Sequence, residues 1–350
     1  MRLLTFGRCS PGSGPRGGQA EHSMSDLGLG FEEFDPTMPG TQRLGALIQL
    51  GPNAGAVVDL NRALAVKLVG EDVGAPEAEA DSLLPPDMLA FLHGGARSLE
   101  AAHTAFAFAA DALERYDAPD LRRAGVVEAR GQVRLCAPLP RPGKIVGVAR
   151  NYLAHAAERG DAPPREPVLF LKAPSAVIGP DDEIVLPAAS KQVDYEGELA
   201  AVIGRAARDV PPEEALEYVA GYCAANDVTA RDFQNERGQH FIGKSCDTFA
   251  PLGPVLTTAD EIPDPSDLGI RTTVSGELRQ SARSKEMIFP LPDLLAFASR
   301  LMTLEPGDVL LTGTPAGVGA AQKPPCWLRD GDVVEVAIES IGALRNYVRR

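Results

Sequence analysis

The sequence predicts an α+β protein that is mainly β, with a smaller α/β part in front. From Lys144 onward, short β-branched runs bounded by Pro and Gly outnumber helical patterns. Ahead of them, two strand-like runs are followed by alanine-rich helical stretches. Pro138, Pro140 and Pro142 stiffen the chain between the parts and remove backbone donors, which divides residues 1–138 from residues 139–350 near Leu139.

In the front part, Met1 to Phe6 reads as a short strand, and residues 9–40 as a Gly/Pro/Ser-rich insertion or loop. Leu44-Gly45-Ala46-Leu47-Ile48 and Ala56-Val57-Val58-Asp59-Leu60 flank Gly51-Pro52-Asn53-Ala54-Gly55 as two strands about a turn. Apolar residues at helical spacing predict helices over 86–92 and 98–116.

The back part opens with the strand Lys144-Ile145-Val146-Gly147-Val148. Further strands are predicted at 168–172, 183–187, 199–204, 255–258, 271–274, 309–312 and 333–338. Pro211 to Val219 reads as a helix, with prolines and acids where the first turn favours them, and a second helix falls near Leu291 to Met302.

Composition narrows the function. A chain of 350 residues with 44% hydrophobic residues can bury a sizeable core. A net charge of -14 without clustered Lys and Arg argues against nucleic acid as a partner. Cys9, Cys136, Cys223, Cys246 and Cys326 are scattered, which suggests neither a disulfide framework nor a zinc-thiolate site and fits a reducing cytoplasm. No apolar run approaches the roughly 20 residues that span a bilayer, and the start lacks a signal-type apolar core, so a cytoplasmic protein without a membrane segment is expected.

The chemistry concentrates in acids. On a strand, Asp194, Glu196 and Glu198 share one face, while Tyr195, Gly197 and Leu199 point the other way. Carboxylates so placed stay ionised at neutral pH only in water or around a cation, so the alternatives are a solvated strand and a divalent metal site. Asp227 lies in a second acidic stretch, Ala225-Asn226-Asp227-Val228-Thr229-Ala230-Arg231-Asp232. His155 and Glu158, three residues apart, are neighbours on a helix, either as a base with its orienting carboxylate or as an ordinary surface contact.

The order of these motifs resembles the fumarylacetoacetate hydrolase family. It is carried by Lys144-Ile145-Val146-Gly147 through Arg150-Asn151-Tyr152, Asp194-Tyr195-Glu196-Gly197-Glu198-Leu199, Asn226 to Gln234, Gly243-Lys244-Ser245-Cys246-Asp247, and Gly313-Thr314-Pro315-Ala316-Gly317-Val318-Gly319. The resemblance implies a mixed β-sandwich roll for the back, catalytic part and a homodimer. It also implies magnesium or manganese held by Glu196, Glu198 and Asp227, a set of hard oxygen donors that leaves coordination positions open.

The family's substrates are 2-oxo acids or their enols. The resemblance makes His155, oriented by Glu158, the general base and Lys244 the cation beside the metal, with Arg231, Gln234 and Thr314 contacting substrate. The bland alternatives are a surface lysine, structural roles for Arg231 and Gln234, and a simple glycine turn around Thr314, which lacks the Gly-Lys-Ser/Thr ending of a nucleotide loop.

The implied reaction is hydrolytic carbon-carbon cleavage of a 2,4-dioxo acid to a 2-oxo acid and a carboxylic acid. The alternative is isomerisation or decarboxylation of an unsaturated 2-oxo-dicarboxylate of aromatic catabolism, without attack by water; a non-catalytic scaffold is the third reading. Departures from the family pattern, Ala149 before Arg150 and Ser284-Lys285-Glu286 before Met287, remove no ligand.

Overall fold

The computed structural model describes residues 1–8, 42–48, 54–116 and 118–350. The stretch expected as a loop over 9–40, and the turn residues Gly51 to Asn53, lie outside them. The described chain is mixed α/β with mainly strands in sheets, and no sheet closes into a barrel. It separates into two compact units, one of Met1–Leu4, Met88–Gly95 and Cys136–Arg350, the other of Thr5–Asp87 and Ala96–Leu135. The division thus does not fall at a single point of the chain.

The smaller unit pairs Arg43–Leu47, Val57–Asp59 and Val127–Glu128 in antiparallel order. The expected second strand stops at Asp59, whose carboxylate accepts the Arg62 amide at 3.0 Å and so caps a helix, Leu60–Gly70. An Asp before Leu-Asn-Arg-Ala-Leu satisfies the free amides of a first turn, and that capping signal overrides the strand pattern. The long helix Gly95–Arg115 buries alanines at helical spacing, Ala101, Ala105, Ala109 and Ala112 among them.

The larger unit is a sheet on a sheet. In the first, Gly197–Ile203 is central, antiparallel to Val219–Asn226 on one side and to Val309–Leu311 on the other. Val219–Asn226 also pairs with Ala250–Thr258, which in turn pairs with Arg2 and Leu3. On the far side Val309–Leu311 runs parallel to Ile145–Ala149, whose other neighbour is Val168–Lys172. The second sheet orders Glu277–Arg283, Gly269–Val274, Val333–Ile338, Gly342–Arg349 and Glu183–Val185.

The core lies between these layers. Leu199, Ala201 and Ala224 from the first sheet, Ile270 and Val336 from the second, and Leu294 of the helix Leu291–Leu301 join one buried cluster. Val219–Asn226 of the first sheet and Gly342–Arg349 and Glu277–Arg283 of the second were not anticipated from sequence. Val219–Asn226 is buried along nearly its whole length and so lacks the polar-apolar alternation that announces a half-exposed strand. Pro212–Tyr218 winds as a 3-10 helix with Ala215 alone buried, too little apolar surface to hold an α-helix.

Asp194 to Glu198 is not one strand. Val193–Asp194 pairs with Thr229–Ala230, the chain bends at Tyr195 and Glu196, and the central strand begins at Gly197. The bend is held by side chains: Asp194 Oδ1 accepts the Tyr195 amide at 3.0 Å, and Asn226 Oδ1 accepts the Glu196 amide at 3.0 Å. No helix of the described residues is long and apolar enough to cross a membrane.

Candidate functional site

Strand pairing brings the two acidic stretches together. Gly197 stands opposite Asn226, and the Asp227 amide donates to the Glu196 carbonyl at 2.8 Å. Gly197 lets the sheets approach: a Cβ there would meet Thr272 Oγ1 at 2.0 Å. Its amide donates to Gln280 Oε1 at 2.9 Å. Glu196, Glu198 and Asp227, all buried, each offer a carboxylate oxygen within 4.8 Å of the others.

Cations brace this trio. Lys244 reaches Glu196 Oε2 at 2.7 Å, Thr229 Oγ1 at 3.0 Å and Asp227 Oδ2. Lys172, fully buried at the end of its strand, donates to Asp227 Oδ1 at 2.6 Å. Arg231 bonds Asp194 through Nε at 2.8 Å and Glu196 through Nη2.

The three carboxyls therefore differ. Burial alone would raise Glu196, but the Arg231 guanidinium and the Lys244 ammonium hold it well below the usual carboxylate range. Glu198 goes the other way: burial, then Asp227 and Glu196, push it well above. The Gly313 amide, donating to its Oε2 at 2.7 Å, offsets only part of this.

His155 sits on the helix Leu153–Glu158, buried rather than on an open surface. Its Nδ1 lies 2.8 Å from Glu158 Oε1, and Glu158 Oε2 accepts the Gly317 amide at 2.8 Å. Thr314 in the same glycine-rich loop donates its hydroxyl proton to the Gly197 carbonyl at 3.0 Å and accepts from Gln280 Nε2 at 2.7 Å. Gln234 meets His240 Nδ1 at 2.6 Å, and the His240 ring stacks on Phe170.

A cavity of about 160 Å³ gathers these groups. His155, Glu196, Glu198, Arg231, Gln234, Lys244 and Thr314 line it, while Glu158 and Asp227 stand behind His155 and Lys244. All nine sequence-predicted residues thus meet at one place. Asp194 does not share a coordinating position with the triad; besides Arg231, it takes the amides of Gly319 at 2.7 Å and Ala320 at 3.1 Å.

Sequence reasoning missed Lys172, Gln280 and His240, and read Arg150, which also lines the cavity, only as part of a motif and without a role. A lone charge closing the apolar run Val168-Leu169-Phe170-Leu171 was a legible signal for Lys172, because a buried ammonium must have a partner. Gln280 gave none, lying amid the polar run Arg279-Gln280-Ser281.

Known proteins resemble this chain over most of its length. The family model "Fumarylacetoacetate (FAA) hydrolase C-terminal" matches residues 144–349. A Xenopus laevis protein named as a mitochondrial oxaloacetate tautomerase is 38% identical over 324 residues, 92% of this chain and 91% of its own. The structure of a fumarylacetoacetate hydrolase from Exiguobacterium antarcticum is 39% identical with a TM-score of 0.69, covering 89% of this chain and 96% of that one. The structure of a 2-hydroxyhepta-2,4-diene-1,7-dioate isomerase from Mycobacterium marinum is 43% identical with a TM-score of 0.57, over 65% of this chain and 81% of that one. Matched by the family's model from residue 144 to 349, and 38% identical to a relative over 92% of its length, the chain belongs to the fumarylacetoacetate hydrolase family.

Proposed function

We propose that this chain is a divalent-metal-dependent enzyme that enolises 2-oxo acids, a tautomerase or isomerase of small oxo-carboxylates. The observation that carries the reading is a single cavity lined both by acids grouped for a cation and by a histidine held for proton transfer. Relatives named for tautomerisation and isomerisation support the reaction class.

The donor set fits magnesium or manganese. Three carboxylate oxygens within 4.8 Å of one another suit a hard dication, and a positive charge would relieve the crowding that holds Glu198 high. Glu196, Glu198 and Asp227 would hold the ion, which supplies a Lewis acid for the negative charge that an oxo oxygen acquires on enolisation.

The chain's own residues do the rest. Glu158 accepts the Nδ1 proton of His155, which leaves Nε2 as the basic nitrogen. That nitrogen takes a proton from the carbon beside the oxo group and can return it to carbon or oxygen. Lys244 places a fixed positive charge beside the developing enolate. Gln234 and the backbone N–H of Thr314 orient the substrate, the Thr314 hydroxyl proton being engaged by Gly197. Arg231 serves mainly to hold Glu196 and Asp194 in place.

Hydrolysis of an acylpyruvate is the second reading. The same His155–Glu158 pair suits taking a proton from water, and the Exiguobacterium antarcticum relative is named a hydrolase. Incubation with enol-oxaloacetate, 2-oxohept-3-enedioate and an acylpyruvate in deuterium oxide with magnesium separates the two. Deuterium entering beside the oxo group without change of skeleton supports enolisation, whereas split products that have gained water replace it with hydrolysis.

A homodimer belongs to the same proposal, with light scattering as its test. Cys136, Cys223, Cys246 and Cys326 are free, which suits a reducing compartment, and we place the protein in the cytoplasm.

A further inference from the structure

Arg150, Arg159 and Arg231 all line the cavity, and they are held very differently. Arg231 is buried and its Nε and Nη2 are committed to Asp194 and Glu196. Arg159 is exposed at the end of the helix Leu153–Glu158. Arg150 is half-buried, and its guanidinium makes no hydrogen bond to any of the described residues. Asp161 stands 3.8 Å from it, too far for a hydrogen bond yet close enough to steer it. The fork of donors on Arg150 is therefore free for a ligand.

The backbone fixes where that fork sits. Arg150 takes a φ of 57°, a left-handed conformation that a non-glycine residue adopts only where its surroundings dictate it. Those surroundings are on either side. Ile145–Ala149 ends immediately before it, and Asn151 after it is fully buried. The Asn151 amide donates to the Thr312 carbonyl at 2.8 Å and the Phe289 carbonyl at 3.0 Å, and its oxygen accepts the Phe289 amide at 2.9 Å. Left-handed though not a glycine, and with no hydrogen bond beyond its ion-pair distance of 3.8 Å to Asp161, Arg150 is placed for something other than packing.

The cavity thus carries two kinds of anchor, the acidic triad and an uncommitted guanidinium. We infer that Arg150, steered by Asp161, binds the second carboxylate of a 2-oxo dicarboxylate, while the 2-oxo acid end lies at the triad. The inference rests on the enolising reading above and adds to it the substrate class and the residue that selects it. Planar, bidentate pairing is what a guanidinium offers a carboxylate, and an ammonium at the same place offers only charge.

Matched pairs of substrates test it. In Arg150→Met, kcat/KM for oxaloacetate falls by about tenfold to a hundredfold, chiefly through KM, the range expected for losing hydrogen bonds to a charged group. For 2-oxobutanoate, of the same chain length with one carboxylate, it stays within about twofold. Arg150→Lys recovers part of the loss. Calorimetry with magnesium present reads the same preference without turnover. The wild type binds 2-oxoglutarate more tightly than 2-oxopentanoate, Arg150→Met erases the difference, and oxalate binds both proteins equally.

Equal losses on both substrates, or a selective loss that follows Arg159→Met instead, overturn the assignment. Should the wild type enolise neither acid, the enolising reading fails, and the binding pair alone decides Arg150: a preference kept in Arg150→Met overturns its role, and a preference lost supports it.

Discussion

His155 Nδ1 and Glu158 Oε1 lie 2.8 Å apart, and the other oxygen of Glu158 holds the Gly317 amide. One carboxylate therefore ties the helix that carries the histidine to the glycine-rich loop, and fixes which ring nitrogen is basic. Glu158→Gln keeps the size and loses the charge, so kcat is expected to drop about tenfold to a hundredfold. His155→Ala is expected to lower it by about 10² to 10⁴. Magnesium affinity, followed by calorimetry, stays within about twofold in both, because neither residue belongs to the acidic trio. Unchanged kcat in either variant moves the proton-transfer group elsewhere.

At Gly197 the two sheets pack tightly beside the site. An added methyl would meet Thr272 Oγ1 at 2.0 Å and Val336 Cγ1 at 3.2 Å. Gly197→Ala is therefore expected to cost about 1–3 kcal/mol by overpacking, and to lower activity by moving Glu196 and Glu198 on either side. Thr272→Ala removes the first obstacle, so the double variant should regain a good part of the lost urea stability. Two independent, additive losses would show that the contact is not the cause.

Spacing alone grouped Glu196 and Glu198 with Asp194 and left a solvated strand as the alternative, and the strand that the spacing assumed is broken at Tyr195 and Glu196. It was the resemblance to the family that set Asp194 aside and joined Asp227 to the two glutamates. What brings them together was not legible. The meeting of Glu196, Glu198 and Asp227 depends on Gly197 pairing with Asn226 across Val219–Asn226, an alanine-rich strand buried on both faces that leaves no periodic signature. Lys172 shows the same limit, since its strand was read correctly but its partner, Asp227, is far away in sequence. His155 and Glu158, being local, needed only helical spacing. Arg150 was read as part of a motif, and its positive φ and a guanidinium that has Asp161 at 3.8 Å but no hydrogen bond set it apart.

His240 should titrate below an ordinary histidine. Burial lowers it first, and the nearby Lys244 ammonium lowers it further. In the folded protein it then takes up its proton at lower pH than in the unfolded chain, whose value is about 6.5. The folded state binds fewer protons between those two values, so this group's contribution to stability is complete above about pH 6.5 and is lost as pH falls through the depressed folded value. Resolved imidazole resonances followed against pH should show a midpoint under 6.5, and His240→Gln should flatten the acid side of the stability curve. A midpoint at or above about 6.5 would contradict the environment described for it.

Lys172 and Asp227 form an ion pair away from water, 2.6 Å apart with both side chains buried. Removing one partner of such a pair strands the other, so Lys172→Met is expected to cost about 3–5 kcal/mol in urea unfolding without added metal. Asp227 keeps Lys244 as a partner, which favours the lower end of that range. Lys172→Met with Asp227→Asn should be less destabilised than Lys172→Met alone, because the stranded charge is gone. The single variant also loses a cation that competes with any dication for the trio, so it should bind magnesium more tightly than the wild type and gain more thermal stability when magnesium is added. Weaker magnesium binding by Lys172→Met would instead make the lysine a support that the metal site needs.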